Sequence, residues 1–135
     1  MKKNELAVRI YYEDTDCGNV VYYANYLKYM ERGRTELLRQ HGIELAQYHS
    51  DGFVFAVVDA KVKYKRPARY NDLLNVVTSF KSHSAASVTF LSSIYNSDTG
   101  ELLVEGEVRI ACVNAQTARA EKIPSDFIGN LTGQV

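Results

Sequence analysis

One long segment without proline, from about Val21 to His41, lies between a single strand-like stretch and four more, and this imbalance constrains the fold more than any motif. The segment ends at Gly42, a residue suited to the left-handed cap that closes a helix. Within it Leu27, Met30, Arg34, Leu37, Leu38 and His41 recur at three- and four-residue spacings, which predicts a helix laying one stripe on a sheet. Gly33, on the same turns, lets a strand approach closely.

Before this helix, residues 5–13 alternate, with Leu6, Val8, Ile10 and Tyr12 on one side and Arg9 and Glu13 on the other. After a short loop, 53–66 opens with apolar residues of both parities, Phe53, Phe55 and Val57 against Val54, Ala56 and Val58, so both faces there are expected to be covered. Further strands are predicted near 73–82, with Leu74, Val76, Thr78 and Phe80 inward, and near 87–96. A turn at 97–100 leads to 101–114, where Val104, Gly106, Val108, Ile110 and Cys112 share one face. Pro124-Ser125-Asp126 opens a short closing helix. No repeat or linker interrupts the order, so residues 1–135 read as one α+β domain in which a single helix covers one face of a five-stranded antiparallel sheet. One helix cannot cover both faces. The simplest remaining cover is another copy of the chain, so a homo-oligomer is expected, either a dimer or a homotetramer built as a dimer of dimers.

Composition narrows the function. With 135 residues and 46% hydrophobic content the chain has material for one core. Lys+Arg and Asp+Glu both number 16, which removes the basic excess that nucleic acid or an anionic membrane would select. The N-terminal stretch has no apolar signal region, and no run approaches the roughly 18 apolar residues of a membrane span. A cytoplasmic protein without membrane insertion is expected. Cys17 and Cys112 form no C-x-x-C pair, which fits a reducing compartment and implies no metal.

The chain also lacks a G-x-S-x-G elbow, an H-E-x-x-H helix, a Walker loop and a dinucleotide glycine motif. Its densest unusual cluster runs from Tyr11 to Tyr26, between the first strand and the helix. There the string Y-x-D-T-D-x-x-x-V-V-Y-x-A-N-Y, followed by E-R-x-R at Glu31 to Arg34 and by Arg66-Pro67-Ala68-Arg69-Tyr70-Asn71-Asp72, resembles the 4-hydroxybenzoyl-CoA thioesterase family. Within that family it is similar to the branch often encoded beside Tol–Pal genes. The resemblance implies a hotdog fold, in which the sheet wraps a long central helix and two subunits join edge to edge. It implies hydrolysis of an acyl-CoA to free acid and CoA, with Asp16 catalytic and no cofactor beyond the CoA of the substrate. The Tol–Pal branch usually carries histidine where this chain has Tyr23, so no imidazole acts there, and only the backbone amide of Tyr23 is claimed. The basic run that holds CoA phosphates in the aryl-CoA enzyme falls here on Ser84-Ala85-Ala86, leaving Lys81, His83 and Arg119 as positional candidates.

Physical chemistry assigns the motif a compatible task. A helix start presents free N–H groups and a positive dipole end, which suit a thioester carbonyl whose oxygen turns negative. Asp16, a few residues upstream, acts either as a nucleophile on the thioester carbon or as a general base on water, and the residues leave both open.

Each candidate has a plainer reading beside it. Asp14 and Asp16 both suit a helix or turn cap, and Asp14 is kept as structural. Glu31 and Arg34, spaced i, i+3, make an ion pair worth about 0.3 kcal/mol or else order the site. Cys17 reads as loop filler. Ser87 is either a site-facing serine or an ordinary strand-edge residue, and Val58, with Phe53, Phe55 and Val57, is a candidate wall for the acyl group. The basic run Lys61, Lys63, Lys65, Arg66 and Arg69 is a solvated face, or a surface for CoA phosphates or an acidic acyl carrier protein. Two other functions compete: a hotdog hydratase or dehydratase, which requires a site histidine, and a non-catalytic binder of acyl thioesters or of a carrier protein.

Overall fold

The computed structural model describes residues 3–133. In chain order it contains β1 (Asn4–Arg9), α1 (Asn25–Gln40), α2 (Leu45–Ser50), β2 (Phe53–Tyr64), β3 (Leu73–His83), β4 (Ser87–Asn96), β5 (Leu102–Asn114) and α3 (Ser125–Thr132). The five strands form one antiparallel sheet in the order β1-β3-β4-β5-β2. The predicted α+β arrangement of one five-stranded sheet with one long helix is therefore what folds.

The inward parity of each strand matches its sequence pattern. Leu74, Val76 and Thr78 of β3 and Val104, Gly106, Val108, Ile110 and Cys112 of β5 are buried beneath α1 and its neighbours. Gly33 has the role expected of it: a Cβ there would collide with the Thr78 hydroxyl and crowd Val76. Gly106 does the same from the sheet side, since its Cβ would lie 2.6 Å from Met30 Sδ. Two missing side chains thus let α1 settle deep into the curve of the sheet.

Several expectations are corrected. The helix begins at Asn25, four residues later than Val21, because the apolar pair Val20–Val21 is drawn into bridges with Arg69 and Thr15. Strand β1 stops at Arg9, and Tyr12, expected inward, is 78% exposed in a 3-10 turn over Tyr12–Asp14. Leu27 leaves the core stripe and is 41% exposed. The short loop before β2 contains α2, whose one buried residue is Tyr48. The two faces of 53–58 are not both covered within one chain, because β2 is an edge strand on which Val57 and Val58 remain about half exposed. A bulge between Val57 and Asp59 breaks the alternation there.

Helix α1 packs chiefly on β1 and β3 and less on β4. It therefore lies off centre, and a cleft opens between it and the β2 edge, walled by Leu27, Glu31, Arg34, Val57 and Ala60.

Candidate active site

Asp16 is carried by a tight hairpin between β1 and α1. Its N–H donates to Val20 O at 2.9 Å, its carbonyl accepts from Asn19 N–H at 3.1 Å, and its Oδ1 accepts from Gly18 N–H at 2.8 Å. Asn19 adopts φ 63, a left-handed conformation that asparagine tolerates, and so the loop turns without strain elsewhere. One carboxylate oxygen is thereby occupied. The side chain is exposed, and neither Asp16 nor Tyr23 lines the α1–β2 cleft.

The hairpin is tied to the helix start by backbone groups. Asp14 O accepts from both Tyr22 N–H and Asn25 Nδ2, each at 2.9 Å, while Asp14 Oδ2 accepts from Tyr11 N–H at 2.7 Å. Val21 N–H donates to Ala68 O at 2.9 Å, and Ala68 N–H in turn donates to the buried Tyr26 hydroxyl at 3.0 Å. The segment Pro67–Asp72 is thus a buttress that holds the hairpin against the first turn of α1. Arg69 N–H donates to Asp72 Oδ2, and Ile10 N–H to Asp72 O, both at 2.9 Å, closing the buttress on the end of β1.

Tyr23 lies one residue before the N-cap, Ala24, which offers no side-chain cap, and the first turn of α1 carries no acidic residue. The N–H groups of Tyr23 and Ala24 donate to no acceptor among the described residues, whereas Tyr22 N–H and Asn25 N–H do donate. Unpaired amides at a positive helix end form a receptor for negative charge. Around them Tyr22, Tyr23 and Tyr64 form an exposed aromatic group with centroids 5.1 and 6.1 Å apart, and Tyr64 hydroxyl donates to Tyr23 O at 3.3 Å. The ladder continues inward through Tyr26 to Tyr29. Burial, and after it the neighbouring Asp14 carboxylate, holds the Tyr29 phenol well above its ordinary range, and its oxygen finds no hydrogen-bond partner among the described residues.

The other candidates fall elsewhere. Glu31 and Arg34 line the α1–β2 cleft but do not form the expected ion pair: Glu31 accepts from the Thr35 hydroxyl, and Arg34, whose guanidinium pKa burial lowers against the pull of Glu31, joins no salt bridge among the described residues. Val58 is the extra residue of the β2 bulge. Lys81 is engaged by Glu107 at 2.6 Å on the sheet face away from α1, a contact that lowers the Glu107 carboxyl pKa. Ser87 is spent in its own turn, its Oγ 2.6 Å from Ser84 Oγ. His83 borders a cavity of about 430 Å³ between the β3–β4 turn and α3, and its basic companion there is Lys122, which the sequence reading passed over in favour of Arg119. Arg119 is exposed on the turn after β5. Asp14, kept as structural, holds the hairpin through its carboxylate and its carbonyl, whereas Asn25 and Ala68 were not singled out beyond their place inside the motif strings. Cys17 is exposed, and the buried Cys112 has its thiol pKa pushed up by burial, which makes it inert.

Residues 11–131 match the thioesterase-like superfamily. The chain is 37% identical over 121 residues to the acyl-CoA thioester hydrolase YbgC of Escherichia coli O6:H1, covering 90% of each protein. It is 32% identical over 117 residues to the putative acyl-CoA thioesterase YneP of Bacillus subtilis, covering 87% of this chain and 83% of that one. Among solved structures, a probable thioesterase from Bartonella henselae superposes with a TM-score of 0.79 at 30% identity, over 90% of this chain and 98% of that one. The DHNA-CoA thioesterase of Staphylococcus aureus gives 0.93 at 23% identity, over 98% and 91%, a likeness of fold alone.

Proposed function

The chain belongs to the thioesterase-like superfamily and has its hotdog fold, and from that premise we propose that it hydrolyses an acyl-CoA, short-chain or aromatic, to free acid and CoA. The observation that carries the reading is the pair of unpaired N–H groups at Tyr23 and Ala24, set beside a hairpin whose exposed carboxylate is Asp16. The thioester carbonyl oxygen rests on those amides. Attack on its carbon moves the π electrons onto that oxygen, where the amides and the helix dipole stabilise the charge, a kind of contact worth about 3 kcal/mol per donor. Collapse of the tetrahedral adduct breaks the C–S bond and releases CoA as thiolate.

Asp16 supplies the attack in one of two ways. As nucleophile its free carboxylate oxygen bonds to the acyl carbon, leaving a mixed anhydride that water opens. As base it takes a proton from the attacking water and returns it to the leaving thiolate. A single turnover in ¹⁸O-water with trapping separates them: label in Asp16, or an acyl-Asp16 adduct trapped by hydroxylamine, assigns the nucleophile, and label in the released acid with no trapped adduct assigns the base. Thiol release from benzoyl-, 4-hydroxybenzoyl-, short-chain and long-chain acyl-CoAs reads the activity itself. Saturable binding without thiol release would instead make the protein a binder.

A hydratase mechanism finds no support near Asp16. His41 caps the far end of α1, about 24 Å along a 16-residue helix, and His49 and His83 lie on α2 and at the end of β3. No helix among the described residues is long and apolar enough to cross a membrane. The acyl group is met as an acyl-CoA in water or as a thioester on a carrier protein, and a cytoplasmic location suits both. The exposure of Asp16 favours a site walled by a second subunit, since a thioester in open solvent gains little from fixed dipoles.

A further inference from the structure

Tyr29, on α1, carries a buried hydroxyl that nothing among the described residues engages. The residue is 1% exposed, and its oxygen finds no hydrogen-bond partner there. Taking a phenol out of water without a partner costs stability, and phenylalanine would fill the same space without that cost. The ring is held on two sides: Tyr26 meets it edge to face at 6.0 Å, and the Arg32 guanidinium lies 5.6 Å from its centroid. Tyr29 lines a cavity of about 340 Å³ between the open edge of β1, the hairpin and α1, and Asp14 lines the same cavity. The Asp14 carboxylate has a free oxygen: its Oδ2 takes Tyr11 N–H at 2.7 Å, while no donor among the described residues claims Oδ1. Asp14 O ties the hairpin to the helix start through Tyr22 N–H and Asn25 Nδ2, but the carboxylate is tied only within the hairpin. Carbonyl anchors alone leave the hairpin a pivot, two residues before Asp16.

We propose that the Tyr29 hydroxyl is a positioning group for the hairpin: as the thioester reaches its reacting geometry, it donates to the free oxygen of Asp14 and so fixes Asp16 against the Tyr23 and Ala24 amides. Those amides stand at the start of the helix that carries Tyr29, so a bond from Tyr29 to Asp14 sets the distance between the attacking carboxylate and the carbonyl receptor. The cavity leaves the Asp14 carboxylate room to turn toward the phenol. Burial holds the phenol in its protonated form, in which it donates to a carboxylate. A bond gained only in the reacting geometry lowers the barrier without tightening the ground state, so it acts on kcat and leaves KM nearly alone. Tyr29 touches no reacting atom; it acts through Asp14.

This inference rests on the acyl-CoA thioesterase reading, and Tyr29→Phe, which removes one oxygen and keeps the ring, tests it apart from that reading. On an acyl-CoA that the wild type turns over, Tyr29→Phe should lower kcat about tenfold and leave KM within about twofold. Its melting temperature, measured without substrate, should stay level or rise, because the free protein loses only an unengaged buried hydroxyl. Asp14→Ala keeps the carbonyl anchors and removes the acceptor, so adding Tyr29→Phe to it should change kcat by less than about twofold. An unchanged kcat in Tyr29→Phe, a rise in KM alone, or losses that multiply in the double variant would each overturn the positioning role. A melting temperature lower by about 4 °C or more would overturn it too, since the hydroxyl would then already be bonded in the free protein. A wild type that releases no thiol from any ester would overturn the thioesterase reading and this inference together; wild-type turnover that Tyr29→Phe matches would overturn this inference alone.

Discussion

The two ends of α1 are built from opposite materials. At the C-terminal end Gly42 takes φ 76, Ile43 N–H donates to Leu38 O at 2.9 Å, and His41 and Gly42 N–H donate to Leu37 O and Arg39 O. Beyond it α2 and α3 bury an aromatic cluster in which Phe127 stacks on Phe55 at 4.9 Å and meets Tyr48 at 5.4 Å. At the N-terminal end no side chain caps the helix and the Tyr23 and Ala24 amides find no acceptor among the described residues, and the aromatic cluster of Tyr22, Tyr23 and Tyr64 is exposed. One end spends its groups on stability and the other withholds them. Such groups cost stability when buried, whereas at the surface water hydrates them at little cost and leaves them free for the carbonyl of the proposed substrate.

The contrast can be broken by substitution. Phe127→Ala should cost about 3 to 5 kcal/mol in urea denaturation, because its ring is wholly buried, whereas Tyr22→Ala should cost about 0.5 or less. Equal losses would mean that the open cluster is part of the core.

Alkaline pH probes the sealed end next. Burial first, and then the Asp126 carboxylate to which its hydroxyl donates, pushes the Tyr48 phenol up to about 12 from 10.0. Its proton is thus held more tightly in the folded state. The stability it confers is complete below pH 10 and is lost as pH rises from there through 12, by about 2 kcal/mol. Tyr48→Phe should flatten that part of the pH–stability curve, and an unchanged slope would assign the loss to other tyrosines.

Asn25 sharpens the account of the open end. Asn25→Ala removes the Nδ2 contact to Asp14 O, which should cost about 1 kcal/mol of stability and lower kcat about tenfold with KM little changed. A change in KM alone would mean that Asn25 touches substrate instead of placing the hairpin.

Much of this division was visible in the sequence. Clean alternation in 102–114 and 73–80 identified the buried faces, and the paired absences at Gly33 and Gly106 reflect a close approach of which only the first was anticipated. Local pattern failed where a distant residue decided the outcome. Val20 and Val21 look like a helix start, but Arg69 and Ala68 claim their backbone. Glu31 and Arg34 look like an intrahelical pair, yet they face a cleft whose shape depends on β2. Asp16 was singled out through its motif. Its support by Ala68 was not, because Ala68 acts through backbone atoms that every residue possesses.

The central claim, that Asp16 drives hydrolysis of a thioester held at the open helix end, is tested most directly by thiol release from the acyl-CoA panel with the wild type and Asp16→Asn in parallel. Asparagine retains the oxygen that accepts from Gly18, so the hairpin should stay folded while turnover falls by about 100-fold or more. Wild-type release lost in a variant of unchanged melting temperature is the predicted result; full activity in Asp16→Asn would contradict it.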